Sequence, residues 1–265
     1  MGKLYQSICS FSNLSITFDF LWKKNRRPGP DGISLYDLLP IRDSYIRELS
    51  SSLLDRSYYP TSDICLTKPY YPGASKILTY TCMNVREKLV EYAIKNYLYS
   101  WYNESLTEFC CAYRKRWGEK KVTELITLYN SIGYTQYVSL DIKSFFNSID
   151  QDKLMNMLNF LSDDDLSILI SDSLHFSHKR GIPSGHVLSP LLSNYYLNDL
   201  DWELKKRKLK VIRYADNYCF AVKQYSQLED IIVQFKGLLH DYNLLINDMK
   251  TKYVVAPNTW RDIIV

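Results

Sequence analysis

The chain has 265 residues, of which 46% are hydrophobic and 23% are charged, and its formal net charge at pH 7 is +4. This composition predicts one globular body with a substantial core, and no apolar run approaches the roughly 18 residues that span a membrane. The six cysteines show no C-x-x-C pairing, and no secretory leader precedes them. We therefore expect a cytoplasmic protein with reduced thiols, no structural zinc and no membrane contact.

Basic residues are gathered into clusters instead of being spread evenly along the chain. The clusters lie at 23–27, 114–121, 179–180 and 205–210. Separated basic patches suit a groove that follows a nucleic-acid backbone, because each phosphate that they neutralise releases counterions. A solvated face is the alternative interpretation of any single cluster.

The first half of the chain contains one clear helix and one clear strand. Up to about residue 60 the sequence is polar and aromatic, and a loop rich in Pro and Gly interrupts it at 27–33. Between 84 and 102, apolar side chains recur at every fourth position, which predicts an amphipathic helix. The members of this row are Val85, Leu89, Ala93, Tyr97 and Trp101. A second helix begins near Lys120, and the β-rich run 137–142 follows it.

The second half alternates helices with turns and ends in strands. We predict a helix at 153–161 after a cap at Asp150, and then a helix that the acids 163–165 begin. A Gly- and Pro-rich loop follows at 180–190, and the next helix begins at Ser189 and Pro190 and ends in the basic run 205–208. The remaining elements are strands at 209–214 and 218–222, a helix at 226–242 and a hairpin-like region at 244–256. The two strands around Asp216 form a hairpin with this acid on its turn.

Two acids lie where β-patterned runs stop, Asp141 after the first run and Asp216 between the later two. Considered alone, each acid is more simply a strand-end or helix-capping residue. If the two strand ends are neighbours, however, the carboxylates form a pair that can hold divalent cations. Such a pair is the minimal equipment for two-metal phosphoryl or nucleotidyl transfer.

Four blocks of sequence, taken in order, resemble the fingers and palm of bacterial reverse transcriptases, in particular the group II intron, retron and defence-associated branch. The blocks are Leu140-Asp-Ile-Lys-Ser-Phe-Phe-Asn-Ser-Ile-Asp150, Gly181-Ile-Pro-Ser-Gly-His-Val-Leu-Ser-Pro190 with its continuation to Asp201, Tyr214-Ala-Asp-Asn217 and Asn247-Asp-Met-Lys-Thr-Lys252. Weaker similarities lie at 29–34, 84–90 and 112–114. Together these segments extend over most of residues 28–255.

The resemblance implies an α+β fold, a right-hand polymerase with fingers and palm, in which helices back a small antiparallel palm sheet. It assigns the fingers to 1–110 and 151–183 and the palm to 111–150 and 184–265. Because the sequence stops soon after Lys252, we expect the thumb to be short or absent. Either a partner protein, a second copy of the chain or structured RNA would then grip the duplex, or the enzyme would be unusually poorly processive.

The same resemblance assigns roles at the acid pair. Asp141 and Asp216 would be the catalytic ligands of two Mg²⁺ ions, with Mn²⁺ as the alternative ion and the carbonyl group of Ile142 as a further ligand. Either Lys250 or Lys252 would protonate the leaving group, and Lys250 is our candidate.

A second group of residues is implied to contact the incoming nucleotide or the primer. Backbone N–H groups of Ser144 and Phe145 would cradle phosphates, and the ring of Phe146 would block a ribose 2′-hydroxyl and so favour deoxynucleotides. The rest of this group comprises Lys76 at the triphosphate, Ser184 and Gly185 in the loop beside the nucleotide, Asn217 on the hairpin turn, and Tyr214 with its hydroxyl near the primer.

The chain departs from the family pattern at three of these positions. Lys76 stands where an Arg usually grips the triphosphate, so the contact loses its planar fork. Ser184 replaces the usual Gln of its loop. Asn217 replaces a second Asp on the hairpin turn. An amide oxygen can still bind a cation, but it carries no negative charge, so we expect weaker metal affinity and not a loss of activity.

The implied function is RNA-directed DNA synthesis with dNTPs and an RNA template or dedicated non-coding RNA, yielding a DNA product, and antiphage defence is the expected setting. One alternative is a protein-primed or template-independent DNA polymerase. Another is a catalytically inactive, polymerase-like subunit that binds RNA or an active partner. We expect His186 to be a satisfied surface or core residue rather than a substrate contact, and His175 and His178 not to bind metal.

Overall fold

A computed structural model describes residues 2–24, 27–61, 64–69, 77–175 and 179–264. Within these residues, no helix is both long enough and apolar enough to cross a bilayer. The chain divides into two compact units, the first of Met1–Ser100 with Gln151–Ser189 and the second of Trp101–Asp150 with Pro190–Val265. The assignment of the names fingers and palm to particular residue ranges stays a prediction.

Helices and strands alternate along the described residues. The helices are α1 (Lys3–Cys9), α2 (Phe11–Lys24), α3 (Leu35–Leu38), α4 (Arg42–Leu54), α5 (Val85–Ser105), α6 (Glu119–Ser131), α7 (Phe145–Ser148), α8 (Gln151–Met157), α9 (Asp164–Ser173), α10 (Ser189–Tyr196), α11 (Asn198–Lys206), α12 (Gln227–His240) and α13 (Trp260–Ile263). The strands are β1 (Ile64–Pro69), β2 (Ile77–Cys82), β3 (Gln136–Asp141), β4 (Lys210–Tyr214), β5 (Asn217–Val222) and β6 (Lys252–Val255). Short 3-10 helices lie at Leu39–Ile41, Leu158–Leu161 and Asp248–Lys250.

The first unit is built around α1, α2 and α4, which sequence patterns did not predict. Tyr5 is buried, and its hydroxyl donates to the carbonyl of Leu53. Asp163 caps α9 as predicted, since its carboxylate accepts from the backbone N–H of Leu166. The same carboxylate accepts from the N–H of Tyr5, so one acid joins α1 to α9.

The predicted amphipathic helix is present as α5, but its apolar row is buried only at the start. Val85, Leu89 and Ala93 are buried, whereas Tyr97 and Trp101 are exposed. A row of every fourth residue drifts about 40° around a helix at each step, because four residues turn slightly more than one full turn. The later members of the row therefore leave the buried face.

Gly185 brings its loop against strand β2 in the first unit. The backbone N–H of Thr81 donates to the carbonyl of Ser184 at 2.6 Å. Gly185 has a φ of +107°, and a Cβ atom there would lie 2.3 Å from the carbonyl oxygen of Thr81. Only glycine fits this backbone, because both the conformation and the space exclude a side chain.

The second unit contains a four-stranded antiparallel sheet with the strand order β4-β5-β3-β6. Asp141, the last residue of β3, lies opposite Asn217, the first residue of β5, and Asn217 in turn lies opposite Tyr214. The predicted hairpin is therefore confirmed, with a two-residue connection, Ala215 and Asp216. This register brings the end of β3 and the hairpin turn to the same end of the sheet.

Helices cover both faces of this sheet. On one face, the ring of Phe235 on α12 packs against the rings of Tyr218 and Phe220, with centroids 4.7 and 5.0 Å apart. On the other face, the hydroxyl of Tyr137 donates to the side chain of Asn130 on α6 at 3.0 Å. The predicted small antiparallel sheet backed by helices is confirmed.

Two predicted elements were wrong in detail. The single helix expected after Pro190 is broken at Leu197, whose backbone dihedrals of −92° and −1° separate α10 from α11. The expected hairpin at 244–256 is instead a 3-10 turn followed by β6, which pairs with β3. The residues before that turn bond to the chain around Asp141, since Asn247 N–H donates to the Asp141 carbonyl at 2.8 Å. They are therefore not available as a partner strand for β6.

Candidate active site

Asp141 and Asp216 meet at one end of the sheet. Asp141 is buried, and Asp216 lies on the turn between β4 and β5. The backbone N–H of Ile142 donates to the carbonyl of Asp216 at 3.2 Å, which ties the two segments together directly after the first acid. The predicted pair of strand-end acids is thus brought together by the sheet register.

The ammonium group of Lys250 lies beside the pair. Its Nζ is 2.9 Å from Oδ1 of Asp141, and the short 3-10 turn Asp248–Lys250 carries it there. Lys252, the other candidate, extends along β6, and its Nζ approaches the carbonyl of Ile264 at 3.5 Å. Of the two lysines, Lys250 is the one in contact with the acid pair.

Burial raises the pKa of Asp216, and the negative charge of Asp141 raises it further, while Lys250 and Arg213 act in the opposite direction. The two carboxylates are therefore close enough to repel each other. Tyr113 belongs to the same electrostatic group, because burial followed by the charge of Asp216 raises its phenol pKa to about 12. A positive counter-charge between the acids would relieve this repulsion.

Asn217 supplies a neutral amide next to Asp141. Its Nδ2 donates to Oδ2 of Asp141 at 3.4 Å, a long hydrogen bond. Its Oδ1 is buried and has no hydrogen-bond partner among the described residues. A buried oxygen without a donor is costly unless something else, such as a cation, engages it.

These side chains suit a hard divalent cation. The available donors are the oxygens of Asp141, Asp216 and Asn217, and Mg²⁺ is commonly held by one or two carboxylates together with substrate phosphates. No group of three or more His, Cys, Asp or Glu side chains within the described part of the chain is arranged to hold a metal ion. The pair therefore fits a cation whose remaining ligands come from an amide, a carbonyl or the substrate.

The residues directly after Asp141 divide between core and surface. Ile142 is buried, and Ser144 is exposed with a φ of 48°, immediately before the four-residue helix α7. Phe145 is buried against Tyr196, whereas Phe146 is half-buried and contacts Phe145 edge-on with centroids 5.9 Å apart. One ring of the pair thus belongs to the core and the other stays accessible. Three assigned roles stay predictions: metal binding by the Ile142 carbonyl, phosphate binding by the N–H groups of Ser144 and Phe145, and exclusion of a ribose hydroxyl by Phe146.

Tyr214 ends β4 and packs on an aromatic neighbour. Its ring lies 4.4 Å from that of Trp260 on α13, and burial raises its pKa. Because Tyr214 is paired with Asn217, its backbone borders the hairpin turn. Its proposed hydroxyl contact with a primer stays a prediction.

Other predicted contacts belong to the first unit. Ser184 is exposed beside Gly185 in the loop that is bonded to Thr81. Lys76 and His178 lie outside the described residues, so the structure does not test their assignment. His186 is a core residue, with its Nδ1 2.5 Å from Oε1 of Glu91.

Sequence patterns did not identify several residues that lie around the site. Arg213 is fully buried although its sequence neighbours suggest only a strand, and its ion-pair partner Asp201 comes from α11. Tyr113 has a φ of 63° and lies within electrostatic reach of Asp216. The weak similarity at 112–114 was the only sequence signal for Tyr113.

Some basic clusters are partly neutralised within the chain. Lys205 pairs with Glu108, and Arg207 pairs with Glu203. Arg114 bonds to Asn103 and to backbone carbonyl groups, so it supports the fold. Within the described residues, Lys206, Lys208 and Lys210 form no ion pair and remain candidates for contact with a polyanion.

The sequence comparisons give one family and two kinds of intron-encoded relative. The family model described as "Reverse transcriptase (RNA-dependent DNA polymerase)" matches residues 70–261. The group II intron-encoded protein LtrA of Lactococcus lactis subsp. cremoris is 26% identical over 223 residues, covering 79% of this chain and 36% of the relative. The putative COX1/OXI3 intron 2 protein of Saccharomyces cerevisiae is 25% identical over 197 residues, covering 70% of this chain and 22% of the relative. The chain thus spans about a third or less of the length of these curated relatives.

Solved structures share the fold at low sequence identity. Apo telomerase from Candida tropicalis has a TM-score of 0.55 at 12% identity, covering 80% of this chain and 49% of that chain. The partial Cas6-RT-Cas1–Cas2 complex has a TM-score of 0.52 at 18% identity, covering 90% of this chain and 43% of that chain. At these identities the likeness concerns the fold alone.

Proposed function

The chain belongs to the reverse transcriptase family, and from that premise we propose that it is an RNA-directed DNA polymerase that adds deoxynucleoside monophosphates to a 3′-hydroxyl with release of pyrophosphate. The predicted similarity to the group II intron branch is confirmed by the intron-encoded relatives. One observation carries the proposed chemistry. Asp141 and Asp216, from separate segments, share one end of the sheet with the ammonium group of Lys250.

In this proposal Asp141 and Asp216 would hold two Mg²⁺ ions, and Asn217 or the Ile142 carbonyl would contribute a neutral oxygen. Cations bound there would activate the 3′-hydroxyl and neutralise the triphosphate charge. The ammonium group of Lys250, which contacts Asp141 in the structure, would be released by a cation bound to that carboxylate and would donate a proton to the leaving pyrophosphate. Phe146 borders the sugar and excludes a 2′-hydroxyl.

A cleft in the first unit supports contact with a nucleic-acid strand. It has a volume of about 540 Å³, and Lys88, Gly29 and Gly185 are among its lining residues. Lys88 is half-buried, and burial lowers its pKa. It forms no ion pair within the part of the chain that the structure describes. An ammonium group in that position favours an anion, and we propose a backbone phosphate of the single-stranded template.

The proposed activity is tested by primer extension with purified protein, an RNA template, a DNA primer, dNTPs and Mg²⁺. Asp141→Ala and Asp216→Ala should each lower incorporation by at least about 100-fold, because the charge that they stabilise is largest in the transition state. Asp230→Asn, which removes an exposed carboxylate of the same unit, is the matched control and should retain activity. Equal incorporation by the wild type and both acid variants would contradict the proposal.

Two other outcomes would select the alternatives. DNA that stays attached to protein in denaturant would indicate protein priming. If the protein binds RNA tightly without incorporating nucleotides, and the Asp141 and Asp216 variants bind RNA with the same affinity, it would be a polymerase-like binding subunit. Neither alternative is favoured by a contact in the structure, so we propose RNA-directed synthesis.

We further propose that the template is a dedicated non-coding RNA and that the setting is antiphage defence. The proposal is supported by two structural neighbours, the partial Cas6-RT-Cas1–Cas2 complex and the telomerase from Candida albicans in complex with a fragment of telomeric RNA. Sequencing the nucleic acid that co-purifies with the protein tests the first part. Phage plating on cells that express wild type or Asp141→Ala tests the second, and equal plating would contradict it.

A further inference from the structure

The turn that carries Asp216 has an unfavourable backbone conformation. Ala215, its first residue, has a φ of 59°, in the left-handed region. In a two-residue hairpin connection this place is usually taken by Gly, Asn or Asp, because a Cβ atom is strained there. Surrounding contacts must therefore hold Ala215, and Asp216 directly after it.

One of those contacts comes from Arg213. Its Nη1 donates to the carbonyl of Ala215 at 3.0 Å and to Oδ1 of Asn194 at 2.7 Å. The Arg213 side chain is fully buried, and its bond to the half-buried Ala215 joins the core to the turn. The guanidinium group thus clamps the peptide unit immediately before Asp216.

The guanidinium group is itself held on its other side. Nε donates to Oδ1 of Asp201 at 3.0 Å and to Oδ2 at 2.8 Å, and Nη2 donates to Oδ2 at 2.6 Å, so the two nitrogens engage both carboxylate oxygens. The hydroxyl of Tyr218 also donates to Oδ1, at 2.8 Å. Asp201 is also fully buried. Bidentate geometry of this kind fixes the orientation of the planar group as well as its position.

The backbone of Arg213 is fixed as well. Its N–H donates to the carbonyl of Phe109, and its carbonyl accepts from the N–H of Cys111, both at 2.8 Å. These bonds cover the outer edge of β4, which is an edge strand of the sheet. Arg213 therefore has little freedom in either its backbone or its side chain.

Stability alone does not require such a pair. Buried ion pairs can often be replaced by apolar residues of similar volume without loss of stability, whereas removal of one partner is strongly destabilising. The hydrogen bond to the Ala215 carbonyl is different, because an apolar residue cannot reproduce it. Its acceptor belongs to the residue directly before Asp216.

We propose that Arg213 and Asp201 are positioning residues that hold the Ala215–Asp216 turn in its strained conformation, so that the carboxylate of Asp216 faces Asp141 before any cation is bound. This inference rests on the proposed function. Without the clamp, the turn relaxes and the two acids have to be brought together at the expense of cation affinity.

The test replaces the whole buried group by apolar residues, in the triple variant Arg213→Met, Asp201→Leu and Tyr218→Phe. The matched control removes the exposed ion pair of the same region, in Arg207→Met with Glu203→Leu. For each protein three quantities are measured: the melting temperature, amide hydrogen exchange at 214–217 in metal-free protein, and binding of Mn²⁺ as followed by its EPR signal. The Mg²⁺ dependence of primer extension is the fourth.

We expect the folded triple variant to exchange the turn amides at least about 10-fold faster and to bind Mn²⁺ about 10- to 100-fold more weakly. The control should match the wild type in both. A folded triple variant with unchanged exchange and unchanged Mn²⁺ affinity would overturn the proposal. Amide exchange and Mn²⁺ binding do not require polymerase activity, so they test the positioning role of Arg213 and Asp201. Primer extension by the wild type tests the proposed function separately.

If the triple variant does not fold, Arg213→Lys carries the test. Lysine keeps the charge opposite Asp201 but cannot form the fork and reach the Ala215 carbonyl at the same time. We expect faster exchange at the turn and unchanged exchange in α11. Unchanged protection of the turn in this variant would likewise overturn the proposal.

Discussion

The Nζ of Lys250 lies 2.9 Å from Oδ1 of Asp141, so an ammonium group contacts the carboxylate that we propose as a cation ligand. The lysine is therefore both a competitor of the cation and a candidate proton donor. These two roles predict opposite effects of its removal.

We expect Lys250→Met to raise the affinity of the substrate-free protein for Mn²⁺ by about 2- to 10-fold, because the cation no longer has to displace the ammonium group from a partly exposed ion pair of modest strength. The same change should lower the rate of incorporation, since the leaving group loses its proton donor. Mn²⁺ titration and single-turnover primer extension measure the two effects. Lys252→Met is the matched control and should change neither. A variant with weaker Mn²⁺ binding and a normal rate would refute both roles.

Replacement of Asp216 should stabilise the metal-free protein while it abolishes synthesis. Burial and the charge of Asp141 raise the pKa of Asp216 in the folded state, so the folded protein holds this proton more tightly than the unfolded chain does. The charged carboxylate thus destabilises the fold as the pH rises above its unfolded pKa, and the penalty is complete above the raised pKa. Asp216→Asn should melt a few degrees higher at pH 7, and the difference should shrink toward pH 4. A lower melting temperature at pH 7 would be the contrary result.

Restoration of a second acid on the turn should reduce the requirement for metal. Asn217→Asp adds a negative charge opposite Asp141, and the charge count of the ligands tunes affinity for divalent cations. We expect the Mg²⁺ concentration for half-maximal extension to fall by about 3- to 10-fold. Gln224→Glu, which adds the same charge in the loop after β5, should have no effect. Loss of activity in Asn217→Asp would instead assign a specific role to the amide.

Discrimination against ribonucleotides should depend on Phe146 and not on Phe145. Phe146→Ala opens space beside the proposed sugar site, and the preference for dNTPs over rNTPs should fall by about 10- to 100-fold. Phe145→Leu changes a buried ring, so it should lower the melting temperature but leave the preference intact. The measurement is the ratio of kcat/KM for dATP and ATP. An unchanged ratio in Phe146→Ala would remove this residue from the sugar site.

Lys88 should contribute to template affinity through one phosphate contact. Lys88→Gln is expected to weaken binding of single-stranded RNA and to reduce the slope of log affinity against log salt by about one. Lys3→Gln, an exposed lysine of the same unit, is the control. Binding measured by fluorescence anisotropy at several salt concentrations gives the slope. An unchanged slope would mean that Lys88 contacts no phosphate.

Local patterns were sufficient to predict the parts of the site that depend on neighbouring residues. The strand before Asp141, the turn at Asp216 and the cap at Asp163 each follow from alternation or from capping chemistry within a few residues. The meeting of the two acids required a further premise, that their strands are adjacent. The family resemblance supplied it, and the register of β3 with β5 confirms the adjacency.

The remaining features depend on partners that are distant in sequence. Arg213 is buried because Asp201, Asn194 and Cys110 surround it, and no periodic pattern announces a charged residue in a core. His186 is buried for the same reason, because Nδ1 of its ring lies within hydrogen-bond distance of Oε1 of Glu91 on α5. Burial of a charge is decided by the partner and not by the residue type, so such contacts are visible only in the folded chain.

Gly185 limits how the chain can change over generations. The obstacle to a side chain there is the backbone of Thr81, which no rearrangement of rotamers can move aside. Its neighbour Ser184 projects to the surface and can be exchanged freely on steric grounds. Descendants of this sequence can therefore vary the chemistry that the loop presents at position 184, while position 185 has to be inherited without alteration as long as β2 keeps its course.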